Sequence, residues 1–214
     1  MSTTPRFSKE MLSYFPKAKE NGSLVLDLGS GSTAHREVCE YAGFEYMDSD
    51  YKSPETPMLG DAHALPLKDE CFELILSMAV LEHIRFPFAM MREAYRVLKT
   101  GGMFIGTVSF LEPFHDNSFY HHTHLGTYNS IHQAGFQIEH IAPSEIWTVL
   151  VAQARMGLFP KMPRLFTKLL VLPLHCLHVL WWKIGRKFRH DASEENRINC
   201  TTGAFVYIAS KAVS

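Results

Sequence analysis

Cysteine is scarce in this chain: of 214 residues only Cys39, Cys71, Cys176 and Cys200 are cysteines, and no two form a C-x-x-C pair. That excludes a disulfide-stapled scaffold and a zinc ribbon. The polar start MSTTPRFSKE carries no secretory leader, so reduced thiols and a cytoplasmic setting are expected. Net charge is equally scarce, with 21 Lys and Arg against 22 Asp and Glu. There is no global basic field of the kind that collects nucleic acid, and no nucleic-acid partner is expected. Internal repeats and low-complexity tracts are also missing, which excludes a solenoid. What the chain does have is apolar mass, 46% hydrophobic residues. That suffices for one sizeable core and leaves too little for two large domains.

The apolar segments alternate in type. SLVLDLGSGS (Ser23 to Ser32) is a short apolar run ending in glycines, a buried strand feeding a tight turn. Ala34, Val38 and Tyr41 or Ala42 then fall at helical spacing, Gly43 stands where a helix stop belongs, and FEYMD reads as a second strand. The alternation continues with a strand near Thr56 to Leu59, the run CFELILSMAV, and a helix whose Phe88, Met91, Tyr95 and Leu98 share a face. The apolar strand GGMFIGTVSF follows. Gly126 to Ala134 reads as a helix, FQIEHIA as a strand and TGAFVYIAS as the last strand. Strands alternating with helices in a chain of this size predict an α/β fold with a mostly parallel sheet covered on both faces.

The glycine turn DLGSGSTA has two readings. Gly29, Gly31 and Ala34 fit the G-x-G-x-x-A variant of a dinucleotide fingerprint, with Asp48 at a suitable distance for a ribose. The same residues fit D-x-G-x-G, where glycines let backbone approach a ligand and Asp27 stands at the strand end. A carboxylate there favours an ammonium and offers nothing to a pyrophosphate. A plain strand-to-helix turn is the third possibility.

Four segments taken together, LVLDLGSGS, FEYMDSD, GDAHALPLKDECFELILSMAVLEH and EAYRVLKTGGMF, resemble the successive motifs of class I S-adenosylmethionine-dependent methyltransferases, in order and at family-like spacing. The resemblance covers about Ser23 to Phe110 and extends more loosely to the end. It implies a Rossmann-like fold with a seven-stranded sheet and S-adenosylmethionine as cofactor. It further implies that Asp27, Gly29, Ser30 and Gly31 face the methionine end and that Asp48 accepts from the ribose hydroxyls. Asp61 and Ala62 would meet the adenine, and Ser77 and Met78 would line the pocket at the tip of the fourth strand. Thr33 stands where the family often has a third glycine, and Asp50 offers a second acid beside Asp48. LEH, with Glu82 and His83, is a common family signature; His83 also has a purely structural reading.

In open parallel sheets ligands lie outside the carboxyl ends of the strands. FHDNSFYHHTH, which follows the fifth strand and holds four of the twelve histidines, is thereby placed at the acceptor side. A methyl donor already carries its leaving group, so a hydroxyl acceptor asks mainly for positioning and a base. His115, His121 or His122 could be that base and Tyr120 could orient the hydroxyl. Glu112, Pro113 and His115 match an E-P-x-H stretch found in similar methyltransferases. Asp116 and the four histidines could instead hold a metal, but closed zinc spacing is missing, and no metal is expected.

Residues 143–198 form an insertion far longer than a hairpin connection. Leu165 to Trp182 is an 18-residue, mostly apolar run interrupted by Lys168, Pro173, His175 and His178. With Arg164, the three polar side chains trace a narrow stripe on an otherwise apolar helix, kinked at Pro173. A lid over the acceptor, a dimer interface and a helix resting on an anionic membrane are the readings open to it. The expected organisation is thus one domain: an N-terminal helical segment (1–22), a cofactor core (23–142), the insertion (143–198) and a final strand (199–214). The function expected is methyl transfer to a small molecule, O-methylation preferred, the acceptor being a sugar, a natural product or a lipid-linked compound. A nicotinamide-dependent oxidoreductase and a catalytically silent binding module are the rivals.

Overall fold

The computed structural model describes residues 7, 9–31, 35–50, 58–115, 117–188 and 193–212. Expectations attached to Thr33, Ala34, Thr56 and Asp116 lie outside them. Seven strands form one sheet: β1 (Leu24–Leu28), β2 (Glu45–Asp50), β3 (Met58–Leu59), β4 (Phe72–Met78), β5 (Leu98–Ser109), β6 (Gln137–Pro143) and β7 (Ala204–Ser210). Their order is β3-β2-β1-β4-β5-β7-β6, and β7 alone runs antiparallel to its neighbours β5 and β6. The alternating segments predict the mostly parallel sheet, and the seven-stranded Rossmann-like arrangement is the one the resemblance implies.

Period-2 alternation serves both faces of the sheet, because helices cover each. On one face Leu26, Leu28, Ile75, Phe104 and Phe205 pack with Met90, Met91, Ala94 and Val97 of α3 (Pro87–Val97) and Ile131 of α4 (His124–Gln133). On the other, Val25, Leu74, Leu76, Ile105 and Ile208 pack with Met11 of α1 (Lys9–Tyr14) and Cys39 of α2 (Arg36–Tyr41). Each fully buried side chain of this kind contributes about 1.5–3 kcal/mol. The α3 face differs from the expected one by a residue: Phe88 is exposed, and Met90, Ala94 and Val97 make the buried stripe with Met91. Gly43 ends the α2 turn at φ +91, a conformation open to glycine at no cost.

The order reverses between β1 and β4, so the crevice beyond their carboxyl ends is the topological switch point where ligands bind in such sheets. Between β6 and β7 lie α5 (Val149–Ala152), a π-helical turn Gln153–Leu158, α6 (Arg164–Gly185) and α7 (Glu194–Thr201). α6 packs on α5 and on the π-helical turn. Thr167 is its one buried residue among those described. The half-buried side carries Val171, His175, His178, Val179 and Trp182, and the leucines of α6 are exposed.

Candidate functional site

β1 and β2 run parallel with Asp27 opposite Asp48, so two carboxylates reach the switch point side by side. Both are fully buried. His35 Nδ1 lies 2.8 Å from Asp27 Oδ2, and the Tyr46 hydroxyl donates to the same oxygen at 2.5 Å. Burial and the Asp27 charge push the Tyr46 phenol well above its usual range, which keeps it a donor. Asp27 Oδ1, sealed from solvent, has no hydrogen-bond partner. Asp48 lacks one at both oxygens, its nearest cation being Arg36 at 3.7 Å. Ser30 Oγ is buried without a partner as well, whereas Ser77 Oγ lies by the Tyr207 hydroxyl. Unpaired buried polar groups cost free energy, and here they gather at the ends of β1 and β2. That is the donor and acceptor set a ligand bearing an ammonium and ribose hydroxyls would satisfy, so the residues present fit S-adenosylmethionine.

The turn after β1 is packed closely at Gly29 and open at Gly31, where a Cβ would meet nothing nearer among the described residues than Asp50 Oδ2 at 4.0 Å. Gly29 has φ +67, and a Cβ there would lie 2.7 Å from both methyls of Val80. Gly31 donates its N–H to Asp50 Oδ2 at 2.9 Å, so the second acid, Asp50, braces the turn while Asp48 stays unpaired. At the tip of β4, beyond Met78, Ala79 is held at φ +56 by hydrogen bonds from its N–H to the Thr107 carbonyl and hydroxyl. Non-glycine residues held in this region concentrate at functional sites. Asp61 is exposed and accepts from the His63 backbone N–H at 2.9 Å, with His63 Nδ1 at 2.5 Å; the two contacts lower its carboxyl below the usual range. Phe86 N–H donates to His63 Nε2, which fixes the proton on Nδ1. Ala62 beside it is half-buried.

Opposite this rim, the short helical turn Leu81–His83 and the end of β5 bring a second set of groups together. Ser109 Oγ meets one oxygen of Glu82 and one of Glu112. Trp147 Nε1 donates to the other oxygen of Glu112 at 2.5 Å. A hydroxyl has a single proton, so it donates to one carboxylate and needs a proton from the other. Glu82 supplies it, because burial holds its carboxyl above the ordinary 4.5. The stabilisation from that protonated form is complete below pH 4.5 and is lost as pH rises through the folded-state value. In thermal melts Glu82→Gln, which cannot ionise, should gain Tm relative to the parent as pH rises from 4.5 toward neutrality; an offset that is constant with pH would place the proton elsewhere.

His115 is next in line. Its Nδ1 is 3.1 Å from the Pro113 carbonyl oxygen and 3.7 Å from Glu112 Oε1. A carbonyl only accepts, so Nδ1 carries the proton and Nε2 keeps a free lone pair. The His83 ring stands edge-on to it at 5.1 Å. Glu82, His83 and His115 each offer one donor atom within 4.8 Å of the others, a set able to hold a divalent cation.

The rest of the histidine loop disperses. His122 is buried beneath the site, its N–H bonded to the Ser109 carbonyl, and burial pushes its imidazole below the usual range. Tyr120 donates to the Arg85 carbonyl at 3.3 Å, tying the loop to the segment after β4. His121 is exposed, and His124 opens α4. Sequence reasoning did not single out His35, Tyr46, Ser109 or Trp147. Tyr46 stood two residues before Asp48 on the same strand and so on the same face, a signal period-2 reading could have used; Trp147 offered none, being 35 residues from Glu112.

Residues 26–106 match a family model described as a methyltransferase domain. No curated protein matches the chain. Among solved structures, an S-adenosylmethionine dependent methyltransferase from Mesorhizobium loti is similar at 16% identity and a TM-score of 0.55, over 94% of this chain and 95% of that one. Phosphoethanolamine N-methyltransferase 2 from Haemonchus contortus, in complex with S-adenosyl-L-methionine, is similar at 15% identity and a TM-score of 0.58, over 95% of this chain and 52% of that one. The cyclase SpnF is similar at 17% identity and a TM-score of 0.57, over 96% of this chain and 80% of that one. At these identities the neighbours show the fold, which a cyclase shares with methyltransferases.

Proposed function

We propose that this chain is an S-adenosylmethionine-dependent methyltransferase, a reading supported by the methyltransferase-domain match over residues 26–106, and that it methylates a hydroxyl of a small-molecule acceptor with His115 as general base. The cofactor, when bound, supplies an activated methyl group and its own leaving group. Asp48 would hold the ribose hydroxyls, Asp27 the ammonium, and Asp61 with Ala62 the adenine. Gly29, Ser30 and Gly31 would supply close-lying backbone, with Ser77 and Met78 as a wall.

The observation that carries the reading is the hydrogen-bond state of His115. With Nδ1–H committed to the Pro113 carbonyl, Nε2 is free to take a proton, and Glu112 at 3.7 Å from Nδ1 favours the imidazolium that results. Glu112 is itself positioned by Trp147 and Ser109, so the base rests on three residues from two segments. His121, His122 and Tyr120 remain proposed as acceptor contacts, with His122 disfavoured as a base by its burial. Assayed against a panel of sugar, phenolic and lipid-linked hydroxyls, His115→Ala should lower kcat by about 100-fold while cofactor Kd is unchanged. Turnover equal to the parent on the accepted substrate would remove the role.

The cluster of Glu82, His83 and His115 supports a second reading, in which a divalent cation orients vicinal hydroxyls of the acceptor. Full activity after thorough chelation would exclude it. We place the protein in the cytoplasm.

A further inference from the structure

α6 leaves most of its apolar surface uncovered. Helices of water-soluble domains turn apolar residues inward and polar ones outward. Thr167, His175 and His178 share the side turned to the domain with Val171, Val179 and Trp182, while Leu165, Phe166, Leu177 and Trp181 are 60–71% exposed. Leu169, Leu180 and Ile184 continue that surface, and Leu158 and Phe159 extend it beyond the helix start. An apolar face of this extent marks an interaction site.

Charge identifies what covers it. From Ile146 to His190 the chain has eight Lys and Arg and no Asp or Glu. Lys161, Arg164 and Lys168 are exposed at one end of α6, and Lys183 and Lys187 at the other. A second copy of the chain would set like charges against like across a two-fold axis, which opposes pairing. An anionic bilayer surface offers both a hydrocarbon boundary for the leucines and headgroups for the lysines.

We propose that α6 seats the protein on an anionic lipid bilayer, lying in the plane of the interface with its leucine and tryptophan side down. At 22 residues it is about 33 Å long and passes for a membrane span on length and composition. Spanning would strip it from α5, expose buried Thr167 and carry Lys168, His175 and His178 into hydrocarbon. In the plane it keeps those contacts, and His175 and His178 stay half-buried on the domain side. This inference is independent of the acceptor and of the role given to His115.

The test is co-sedimentation of the full chain with vesicles of phosphatidylcholine, with and without phosphatidylglycerol. The protein should pellet with the anionic vesicles, less so with neutral ones and less so at high salt. The double variant Leu177→Glu, Trp181→Glu should weaken partitioning by about tenfold or more while cofactor binding, read by calorimetry, shows that it folds. Lys183→Glu with Lys187→Glu should lower binding to anionic vesicles alone. Absence of binding by the folded parent overturns the proposal. So does retention after an alkaline carbonate wash, which marks a span. A dimer in light scattering that the Trp181 variant dissociates, without vesicle binding, assigns the face to a second copy instead. Binding to a single-stranded oligonucleotide in preference to vesicles would also sink it.

Discussion

Gly106→Ala is expected to lower Tm by about 10 °C, and to leave little soluble protein on expression near body temperature. Gly106 lies in β5 between Ser77 of β4 and Tyr207 of β7, at the centre of the sheet. A Cβ at this position would fall on the Ser77 carbonyl oxygen and on the Tyr207 hydroxyl. Tyr207 is fully buried and its ring is packed by Phe104, so it has nowhere to retreat. The Ser77 oxygen belongs to the backbone and moves only if the strand does. Overpacking of this severity costs about 3 kcal/mol or more, against a total stability of about 5–15 kcal/mol. The companion change Tyr207→Phe removes only the hydroxyl and leaves the ring Cζ and the Ser77 carbonyl oxygen in collision, so it should recover little of the loss. Full recovery in thermal melts would show that the Tyr207 hydroxyl alone blocks the site, and a Tm equal to the parent for Gly106→Ala would contradict the packing altogether.

Asp48→Ala should behave in the opposite way: cofactor affinity falls by about 10²–10³-fold, two charge-assisted hydrogen bonds at about 1.5–3 kcal/mol each with partial compensation, while the Tm of the free protein holds or rises. Most buried side chains lose stability when truncated. Asp48 is different because its carboxylate is sealed in the protein with neither oxygen hydrogen-bonded, and its one ion-pair contact among the described residues, Arg36 at 3.7 Å, is shared with Glu40 at 3.6 Å. Removing it relieves a desolvated charge. Binding residues that strain the free protein in this way are the usual form of the trade between stability and function. Calorimetry with S-adenosylmethionine and a melt of the free variant measure the two halves. A lower Tm with unchanged affinity would make Asp48 a structural residue.

The strands were legible because each is an apolar run closed by a turn residue, and Gly29, Gly43 and Gly101 all stand at positive φ where the runs stop or start. The β7 insertion between β5 and β6 is not written in local spacing; it is a pairing between Ser109 and Ala204, far apart in the chain. The site divides in the same way. Asp27, Gly29 and Asp48 sit at strand ends that period-2 reading locates. Meeting of Glu82, Ser109 and Glu112 depends on how the turn after β4 lies against the end of β5, and no motif encodes that. A helical wheel of α6 shows its polar stripe plainly. Which side of a wheel faces the protein is a tertiary fact, and the ordinary assumption that apolar means inward gave a lid where none of the leucines is covered.

β7 is the last strand of the chain, yet it fills the gap between β5 and β6 and contributes Phe205, Tyr207 and Ile208 to both faces of the core. During synthesis, β5 and β6 therefore leave the ribosome with facing edges unpaired, and the α6 leucines emerge before the strand that would close the sheet. The core cannot be completed until the β7 segment has been made. Such intermediates expose strand edges and apolar surface together, the combination that drives aggregation. Early engagement of α6 by a lipid surface would remove one of those two hazards while the carboxyl terminus is still being made.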